Sequence, residues 1–355
     1  MDASKPIGFG IIGLGMIAEF HVNAIAAMES CKFIGGYNRT FEKALAFCSA
    51  HGGIPYPTAA ELFADPGIDI VIIATPSGCH LDYAVEAAAA GKHVIVEKPL
   101  EITAERCDQI IEAADGNHVK LCTVFPSRFH PSSRLVKQAI TQGRLGKIVL
   151  ADAQIKWYRS QAYYDSGAWR GTWERDGGGA LMNQGIHAID LLQWFMGDVT
   201  EVSAYTATLA HERIEVEDTA VASLKFANGA LGVIEGTTGA YPGFLKRLEI
   251  CGSKGSVVME EENITQWQFA EELPEDQEIR ERFLHHTQSG GGSADPRAIR
   301  FEWHRMLFSA FVDSIQQGTP FGLEGNEGRK SVAIIESIYK SARDGRPVKL
   351  APGAA

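Results

Sequence analysis

The chain has 355 residues, of which 45% are hydrophobic and 22% charged, and this composition is typical of a globular protein with a sizeable core. Its formal net charge of -11 argues against a nucleic-acid partner, because phosphate binding needs a clustered basic surface. The N-terminus lacks a charged segment followed by an apolar one, and no run of about 18 apolar residues occurs, so we expect a cytoplasmic protein without a membrane span.

The first predicted element is an apolar strand, Ile7–Ile12, which ends at a glycine turn and is followed by apolar residues at helical spacing. In a dinucleotide-binding turn the first glycine, Gly13, permits the tight bend, and the second, Gly15, lets a pyrophosphate approach the backbone. The phosphate would lie on the N–H groups of the helix N-terminus at Met16 and Ile17. The sequence therefore predicts an NAD(P) site here.

A second strand, predicted over residues 33–37, ends where a dinucleotide site usually has an acid for the adenosine ribose. Asn38 and Arg39 stand there instead. A carboxylate repels a 2′-phosphate, whereas an amide and a cation accept one, so the sequence leans slightly towards NADP over NAD. Arg39 could equally stack on adenine in an NAD site.

Helical and strand patterns alternate as far as residue 124, as a doubly wound parallel sheet requires. The predicted strands are residues 7–12, 33–37, 68–74, 93–97 and 120–124. Their apolar runs lack alternation, which is typical of strands covered on both faces. We therefore predict an α/β Rossmann domain over residues 1–124.

Polar residues follow two of these strands. Thr75, Pro76 and His80 come after one, and Glu97 and Lys98 come after the next. Ligands of open parallel sheets bind outside the carboxyl ends of the strands, so both loops are candidate cofactor contacts. Lys98 is held between an apolar strand and a proline, which favours a functional role. The alternative is an exposed lysine paired with Glu97.

The pattern changes in the second predicted domain, residues 125–355. Residues 148–157 alternate between apolar and polar positions, and Asn228-Gly229 separates two apolar segments as in a β-hairpin. We predict an α+β domain with a large, mainly antiparallel open sheet, whose uncovered face favours self-association. The polar segment 271–295 is predicted to be a mobile loop, and a closing helix at 328–343 could pack back on the Rossmann domain.

A polar stripe marks a helix that begins after three consecutive glycines. Asn183, His187 and Asp190 are spaced four and three residues apart, so they share one face of an otherwise apolar helix. Burying such a stripe is costly without a purpose. His187 is the candidate general base, because imidazole titrates near neutral pH. The alternative is a structural histidine.

Together these motifs resemble the glucose–fructose oxidoreductase / inositol dehydrogenase (Gfo/Idh/MocA) family over almost the whole chain. The residues that carry the resemblance are the glycine turn 13–18, Thr75-Pro76 with His80, Glu97-Lys98-Pro99 and the segment 178–187. The resemblance implies hydride transfer between nicotinamide C4 and a carbon of a sugar, sugar acid or cyclitol. By this likeness Lys98 polarises the reacting oxygen, His187 transfers the hydroxyl proton, and the chains form homodimers or homotetramers through the second domain's sheet.

The chain departs from the family at Asn183, where many members carry aspartate; an amide can orient a substrate hydroxyl but cannot raise the basicity of His187. The asparagine version of the motif looks most like the branch of nucleotide-sugar-acid 3-dehydrogenases. Arginine forks and aromatic faces suit a sugar that carries a carboxylate or phosphate. The candidate residues are Arg128, Tyr158, Arg159, Arg170 and Trp173. Core packing for the aromatics and salt bridges for the arginines are the alternatives.

Two other functions are compatible with a nucleotide-binding chain of this kind. One is a glycoside hydrolase that keeps its NAD and cleaves by transient oxidation, and the other is an inactive nucleotide-binding regulator. The six cysteines are scattered without a C-x-x-C pair, and no histidine, cysteine and carboxylate residues stand at ligand spacing. The sequence therefore predicts reduced thiols and no metal site.

Overall fold

The computed structural model describes residues 5–284, 301–351 and 353. The chain folds into two units. The first contains the described residues up to 126 together with segment 301–329, and the second contains residues 127–284 and those from 330 onwards. The boundary near residue 126 lies close to the predicted one, but segment 301–329 belongs to the first unit, whereas the sequence analysis places it in the second domain.

Two sheets organise the described strands. In chain order these strands are β1 (Ile7–Ile12), β2 (Cys31–Tyr37), β3 (Ile54–Tyr56), β4 (Ile70–Ile73), β5 (His93–Val96), β6 (Leu121–Thr123), β7 (Ile148–Lys156), β8 (Val199–Ala207), β9 (Thr219–Phe226), β10 (Leu231–Thr237), β11 (Arg247–Gly252), β12 (Gly255–Glu260), β13 (Asn263–Phe269) and β14 (Val348–Lys349). The five strands predicted for the first domain are all present, with ends shifted by a few residues, and β3 adds a sixth.

Helices cover the first sheet and one face of the second. The described α-helices are α1 (Met16–Ala26), α2 (Phe41–His51), α3 (Ala59–Ala64), α4 (His80–Ala89), α5 (Ala104–Gly116), α6 (Pro131–Thr141), α7 (Gln161–Asp165), α8 (Ile186–Met196), α9 (Pro274–Leu284), α10 (Glu302–Gln317) and α11 (Gly325–Asp344). None of them is long and apolar enough to cross a membrane.

The first sheet has the strand order β3-β2-β1-β4-β5-β6, and all its strands pair in parallel. Every residue of β1 and β4 is buried, as expected for central strands with helices on both faces. This confirms the predicted doubly wound Rossmann sheet.

Segment 301–329 joins the first unit through the apolar face of α10. Phe308 and Phe311 on this helix are fully buried, and the ring of Phe308 lies 6.2 Å from that of Phe9 in β1. The α10 helix also packs along α1. The amphipathic pattern of this segment was visible in the sequence, but the partner that buries it is almost 300 residues away.

The second sheet has the order β13-β12-β11-β7-β10-β9-β8-β14. Strands β7 and β10 are parallel, and every other neighbouring pair is antiparallel, which confirms the predicted mainly antiparallel sheet. The Asn228-Gly229 turn joins β9 to β10 as predicted. One face is buried, and the other exposes large side chains that include Tyr205, Val221 and Leu231.

The prediction of a loop over residues 271–295 is wrong in its first half, where α9 forms; residues 285–295 lie outside the described residues. The cause is Asp276, whose carboxylate accepts hydrogen bonds from the indole of Trp267 at 2.6 Å and from Arg144 at 2.7 Å. These bonds attach the polar helix to the edge of the sheet.

Candidate active site

The glycine turn of the first unit has the geometry that a dinucleotide requires. Gly13 has φ +90, and a Cβ there would lie 2.6 Å from the carbonyl oxygen of Ala74, so only glycine fits. Gly15 precedes α1, and a Cβ built on it meets no atom within 4 Å, so the backbone next to Met16 and Ile17 borders open space. A pyrophosphate fits there, on the N-terminus of α1.

The end of β2 lies beside the end of β1, because Ile12 is paired with Tyr37. Asn38 follows, and its side-chain oxygen accepts a hydrogen bond from the backbone N–H of Thr40 at 2.9 Å. Arg39 is exposed. The turn therefore presents an amide N–H₂ group and a cation where many NAD sites present a carboxylate, and the lean towards NADP stays a prediction.

The loop after β4 contains one residue with a polar atom available to a ligand and one residue whose polar atoms are already bonded within the protein. The hydroxyl oxygen of Thr75 is buried and has no hydrogen-bond partner among the described residues, which fits a contact with a bound cofactor. Pro76 precedes a short 3₁₀ turn. His80, however, is 1% exposed, and its ring nitrogens lie 2.9 Å from the carbonyl oxygen of Pro99 and 3.0 Å from that of Thr75. We correct the predicted contact of His80 with the cofactor. Its buried ring connects the loop after β4 to the loop after β5.

Glu97 also faces the protein and not the open edge of the sheet, contrary to its predicted contact with the cofactor. One carboxylate oxygen lies 3.0 Å from Nε2 of His21, and the other accepts the backbone N–H of Lys98 at 3.0 Å. Burial alone would raise the pKa of Glu97, but the nearby imidazole of His21, with the charges of His304 and Lys98, lowers it to about 2. Lys98 itself is half-buried.

The structure also brings together ligand-type side chains that sequence spacing could not reveal. Single donor atoms of His21, Glu97 and His304 all lie within 4.8 Å of one another, and all three residues are buried. The prediction that such a cluster is missing considered only residues that are close in sequence.

In the second unit the polar stripe begins in a π-helical turn, Ala180–Gly185, which continues directly into α8. Turns of this kind frequently occur at functional sites. Within residues 180–190 only Asn183 and His187 are half-exposed; every other residue there is buried. These two side chains therefore share the accessible face, as predicted.

Asp190 does not share that face. It is fully buried and forms a two-point ion pair with Arg128, at 2.9 Å from Nε and 2.7 Å from Nη2. The guanidinium of Arg128 is thus engaged by a carboxylate, and both residues belong to the second unit. The salt-bridge alternative explains Arg128, and we do not carry its predicted substrate contact further.

A chain of hydrogen bonds fixes the orientation of the Asn183 amide. Its nitrogen donates to the buried carboxylate of Asp176, and its oxygen accepts from Nε2 of Gln184 at 3.0 Å. The oxygen of Gln184 accepts from Nε of Arg159 at 3.0 Å. Asp176 also accepts the backbone N–H of Gly171 at 2.9 Å. A carboxylate therefore lies directly behind the asparagine.

Two arginines surround the ring of Tyr163. Arg170 donates to the Tyr163 hydroxyl at 2.5 Å, and its guanidinium lies 4.2 Å from the ring centroid of Tyr163 and 4.5 Å from that of Trp169. The guanidinium of Arg159 lies 5.6 Å from the same tyrosine, and burial together with the charge of Arg170 lowers its pKa. In the part of the chain that the structure describes, no carboxylate lies within 4.0 Å of Arg170. This arrangement suits an anionic ligand.

The two remaining candidates for sugar contacts are partly accessible. Tyr158 is half-buried and packs edge-on against Tyr241, with ring centroids 5.2 Å apart. Trp173 is 43% exposed and packs edge-on against Tyr339 at 5.2 Å. Each ring is thus held by one aromatic neighbour, and neither is fully buried in the core.

Two family descriptions match the chain. The NAD-binding Rossmann fold of the oxidoreductase family matches residues 7–125, and the GFO/IDH/MocA C-terminal domain matches residues 133–258. The scyllo-inositol 2-dehydrogenase (NAD(+)) of Bacillus subtilis is 32% identical over 70% of the chain and 72% of its own length. The chain belongs to the Gfo/Idh/MocA family.

Other relatives cover nearly the full length of this Gfo/Idh/MocA protein. The myo-inositol 2-dehydrogenase of Thermotoga maritima is 28% identical over 96% of the chain and 98% of its own length. The WlbA dehydrogenase from Bordetella pertussis, solved in complex with NADH and UDP-GlcNAcA, is 36% identical, covers 98% of this chain and 99% of its own, and has a TM-score of 0.87. The protein is an NAD(P)-dependent dehydrogenase of the sugar type that acts on CH–OH groups. The comparisons give no support to the glycoside hydrolase alternative.

Sequence reasoning missed Glu217, a residue of this Gfo/Idh/MocA enzyme that supports the segment carrying Asn183 and His187. The buried carboxylate of Glu217 accepts the backbone N–H groups of Gly179 at 3.0 Å and Leu181 at 2.9 Å, and the hydroxyl of Tyr339 at 2.9 Å. Burial raises the pKa of Glu217 to about 7, against the lowering effect of these bonds. Glu217 thus anchors the start of the π-helical turn. The signal available in the sequence was an acidic residue just before a strand in which buried and exposed residues alternate.

Proposed function

We propose that this dehydrogenase oxidises the 3-hydroxyl of a nucleotide-linked sugar acid of the UDP-GlcNAcA type. The observation that carries the proposal is the likeness to the WlbA dehydrogenase, which extends over 98% of this chain at 36% identity and whose structure contains both NADH and UDP-GlcNAcA. The asparagine version of the helix motif supports the same branch.

The arginine pair of the second unit gives a physical reason for an acidic substrate. Arg170 is half-buried, and its guanidinium is stacked on two aromatic rings, so it is held in place at little further entropic cost. A guanidinium in this state binds a carboxylate or phosphate through two parallel hydrogen bonds. Inositols and neutral sugars carry no such group, whereas a nucleotide-linked sugar acid carries both.

The chemistry assigns one step to each catalytic residue. Oxidation of a carbinol removes the hydroxyl proton and a hydride from the same carbon, and leaves a ketone. His187 takes the proton, because an accessible imidazole accepts one near neutral pH. The Lys98 ammonium donates a hydrogen bond to the oxygen and stabilises the negative charge that develops there. A dinucleotide bound at the glycine turn would supply nicotinamide C4 as the acceptor of this hydride. The Asn183 amide, fixed by Asp176 and Gln184, stands one turn before His187 and orients the substrate hydroxyl.

Variants of the two catalytic residues test these roles. With UDP-GlcNAcA and NAD⁺ or NADP⁺, we expect the wild type to form reduced cofactor, measured by absorbance. His187→Ala should lower kcat by about 10²–10⁴-fold, the usual contribution of a general base. Lys98→Met should lower kcat strongly as well, whereas Lys43→Met, which changes an exposed lysine of α2, should leave it unchanged. Oxidation of myo-inositol without oxidation of UDP-GlcNAcA would contradict the sugar-acid proposal.

The cofactor proposal has a separate test. The turn at Asn38 and Arg39 carries no acid that would repel a 2′-phosphate, and we propose on this ground that NADP(H) is accepted. Mass identification of the nucleotide released on denaturation, followed by titration with NADH and NADPH, checks it. Tightly held NAD(H), or NADPH bound much more weakly than NADH, would contradict the proposed acceptance of NADP(H).

We also propose that the enzyme is a cytoplasmic homodimer or homotetramer that associates through its second sheet. Tyr205 is 83% exposed there, and Val221 and Leu231 are each more than half exposed on the same face. Apolar exposure of this kind on an open sheet face favours contact with a second copy. Light scattering of the wild type and of Val221→Arg should show an oligomer and a smaller species; a monomeric wild type would contradict the proposal.

A further inference from the structure

A group of buried titratable side chains lies behind the loop that carries Lys98. His21 comes from α1, Glu97 from the end of β5 and His304 from α10, and their exposed fractions are 0%, 7% and 3%. The rings of His21 and His304 meet edge-on with centroids 5.6 Å apart, and Phe308 packs against His21 at 5.4 Å. Three separate elements therefore fix the position of the His21 ring.

The charges in this group are coupled. An ionised carboxylate can remain buried only when positive charge or several hydrogen-bond donors compensate it. For Glu97 that compensation comes mainly from His21, whose Nε2 lies 3.0 Å from the carboxylate. The interaction therefore holds the Glu97 side chain in one orientation.

The second oxygen of Glu97 connects this group to the next residue along the chain. It accepts the backbone N–H of Lys98 at 3.0 Å, while His80 lies 2.9 Å from the carbonyl oxygen of Pro99. The main chain on both sides of Lys98 is thus attached to a buried imidazole, directly in one case and through a carboxylate in the other. A lysine backbone fixed in this way presents its ammonium from a defined position.

We propose that His21, supported by His304, is a positioning residue for Lys98 and acts through the Glu97 carboxylate. The inference rests on the proposed role of Lys98. A divalent cation could bind the same three side chains, since two imidazoles and a carboxylate are common metal ligands. Positioning also accounts for the second contact of the carboxylate, because one oxygen binds the Lys98 N–H at 3.0 Å while the other lies 3.0 Å from the imidazole of His21.

The test compares three variants of α1. His21→Leu removes the imidazole that lies 3.0 Å from Glu97 and keeps the bulk of the side chain, His21→Gln places an N–H group at the same position, and Val22→Ala removes buried atoms from the same helix. With UDP-GlcNAcA and NAD⁺, we expect His21→Leu to lower kcat by about 10- to 100-fold with little change in KM, since misplacement of a catalytic group by about 1 Å costs up to 10²-fold. His21→Gln should recover most of the rate, and Val22→Ala should keep it.

A second readout does not depend on the substrate. Reductive ¹³C-methylation of the lysines gives one resonance that Lys98→Met removes, and this resonance reports the surroundings of the Lys98 ammonium. We expect His21→Leu to shift it and Val22→Ala to leave it in place. If the wild type does not oxidise UDP-GlcNAcA, the proposed function fails while this resonance still tests the positioning.

Two results would overturn the inference. One is a Lys98 resonance and a kcat in His21→Leu that match those of Val22→Ala. The other is about one divalent metal ion per chain in the purified wild type, measured by mass spectrometry and lost in His21→Leu, since that would make the group a metal site.

Discussion

Glu97 in the first unit and Glu217 in the second are both buried, yet their pKa values move in opposite directions. Two imidazoles and an ammonium near Glu97 lower its pKa to about 2. Among the described residues, Glu217 accepts hydrogen bonds from backbone N–H groups and a tyrosine hydroxyl, and burial raises its pKa to about 7. Each carboxylate binds the backbone beside a proposed catalytic residue, at Lys98 itself in one case and at the π-helical turn before His187 in the other. At Glu97 the neighbouring positive charges outweigh the desolvation of the carboxylate, whereas at Glu217 the hydrogen bonds do not.

The largest effect is expected from Glu97→Gln. This change removes the carboxylate charge that lies 3.0 Å from the imidazole of His21, and breaking a buried ion pair costs about 3–5 kcal/mol. We expect the unfolding free energy of the first unit to fall by this amount at pH 7, measured by urea unfolding and hydrogen exchange. Glu42→Gln, an exposed change on α2, is the control and should stay within about 0.5 kcal/mol of the wild type. Equal values for the two variants would show that Glu97 is not an ionic partner.

The pH dependence of stability should separate the two carboxylates. Between its ordinary pKa of 4.5 and its folded pKa of about 7, Glu217 binds more protons in the folded state than in the unfolded one, so its contribution to stability declines as the pH rises through this range. Relative to Glu217→Gln, the wild type should lose up to about 3 kcal/mol between pH 4.5 and pH 7.5.

Glu97 should behave in the opposite way. Because its folded pKa lies below the ordinary 4.5, its contribution is present above pH 4.5 and is lost only as the pH falls towards 2. The difference between the wild type and Glu97→Gln should therefore shrink as the pH falls from 4.5 towards 2, measured by the same urea series. If the two stability differences, wild type against Glu97→Gln and wild type against Glu217→Gln, changed with pH in the same way, the contrast between the two carboxylates would be wrong.

A smaller effect is expected from Tyr339→Phe. The change removes the hydroxyl that donates to Glu217 and leaves the ring that packs on Trp173. Loss of one such bond costs about 1 kcal/mol. The pKa of Glu217 should also rise further, because one stabilising donor to its charged form is gone. Carboxyl ¹³C NMR of Glu217 in the two proteins checks the direction, and an unchanged or lower pKa would contradict it.

The Rossmann sheet could be predicted from the sequence because its signals are local. Apolar runs, the turn at Gly13 and helical spacing all lie within a few residues of one another. Strand β3 was missed because three residues that include a proline carry too short a pattern. The place of α10 was missed because an amphipathic helix does not show which distant surface buries it.

The candidate site shows the same contrast between local signals, which the sequence reveals, and contacts between distant residues, which it does not. Asn183 and His187 were found because helical spacing places them on one face. Sequence alone left Arg128 open between substrate and salt bridge, and only the structure shows its pair with Asp190. No pattern connects His21 to His304, since the two residues meet only when α1 packs on α10.

The return of segment 301–329 to the first unit has a consequence for biosynthesis. When residue 126 leaves the ribosome, the helix that will cover Phe9 and His21 has not yet been made. At about 5–20 residues per second, the intervening chain takes on the order of ten seconds or more to synthesise. During that interval the nascent nucleotide-binding half exposes an apolar surface that a chaperone could recognise. A fragment that ends at residue 126 should therefore aggregate, unlike a Rossmann domain encoded as one uninterrupted segment.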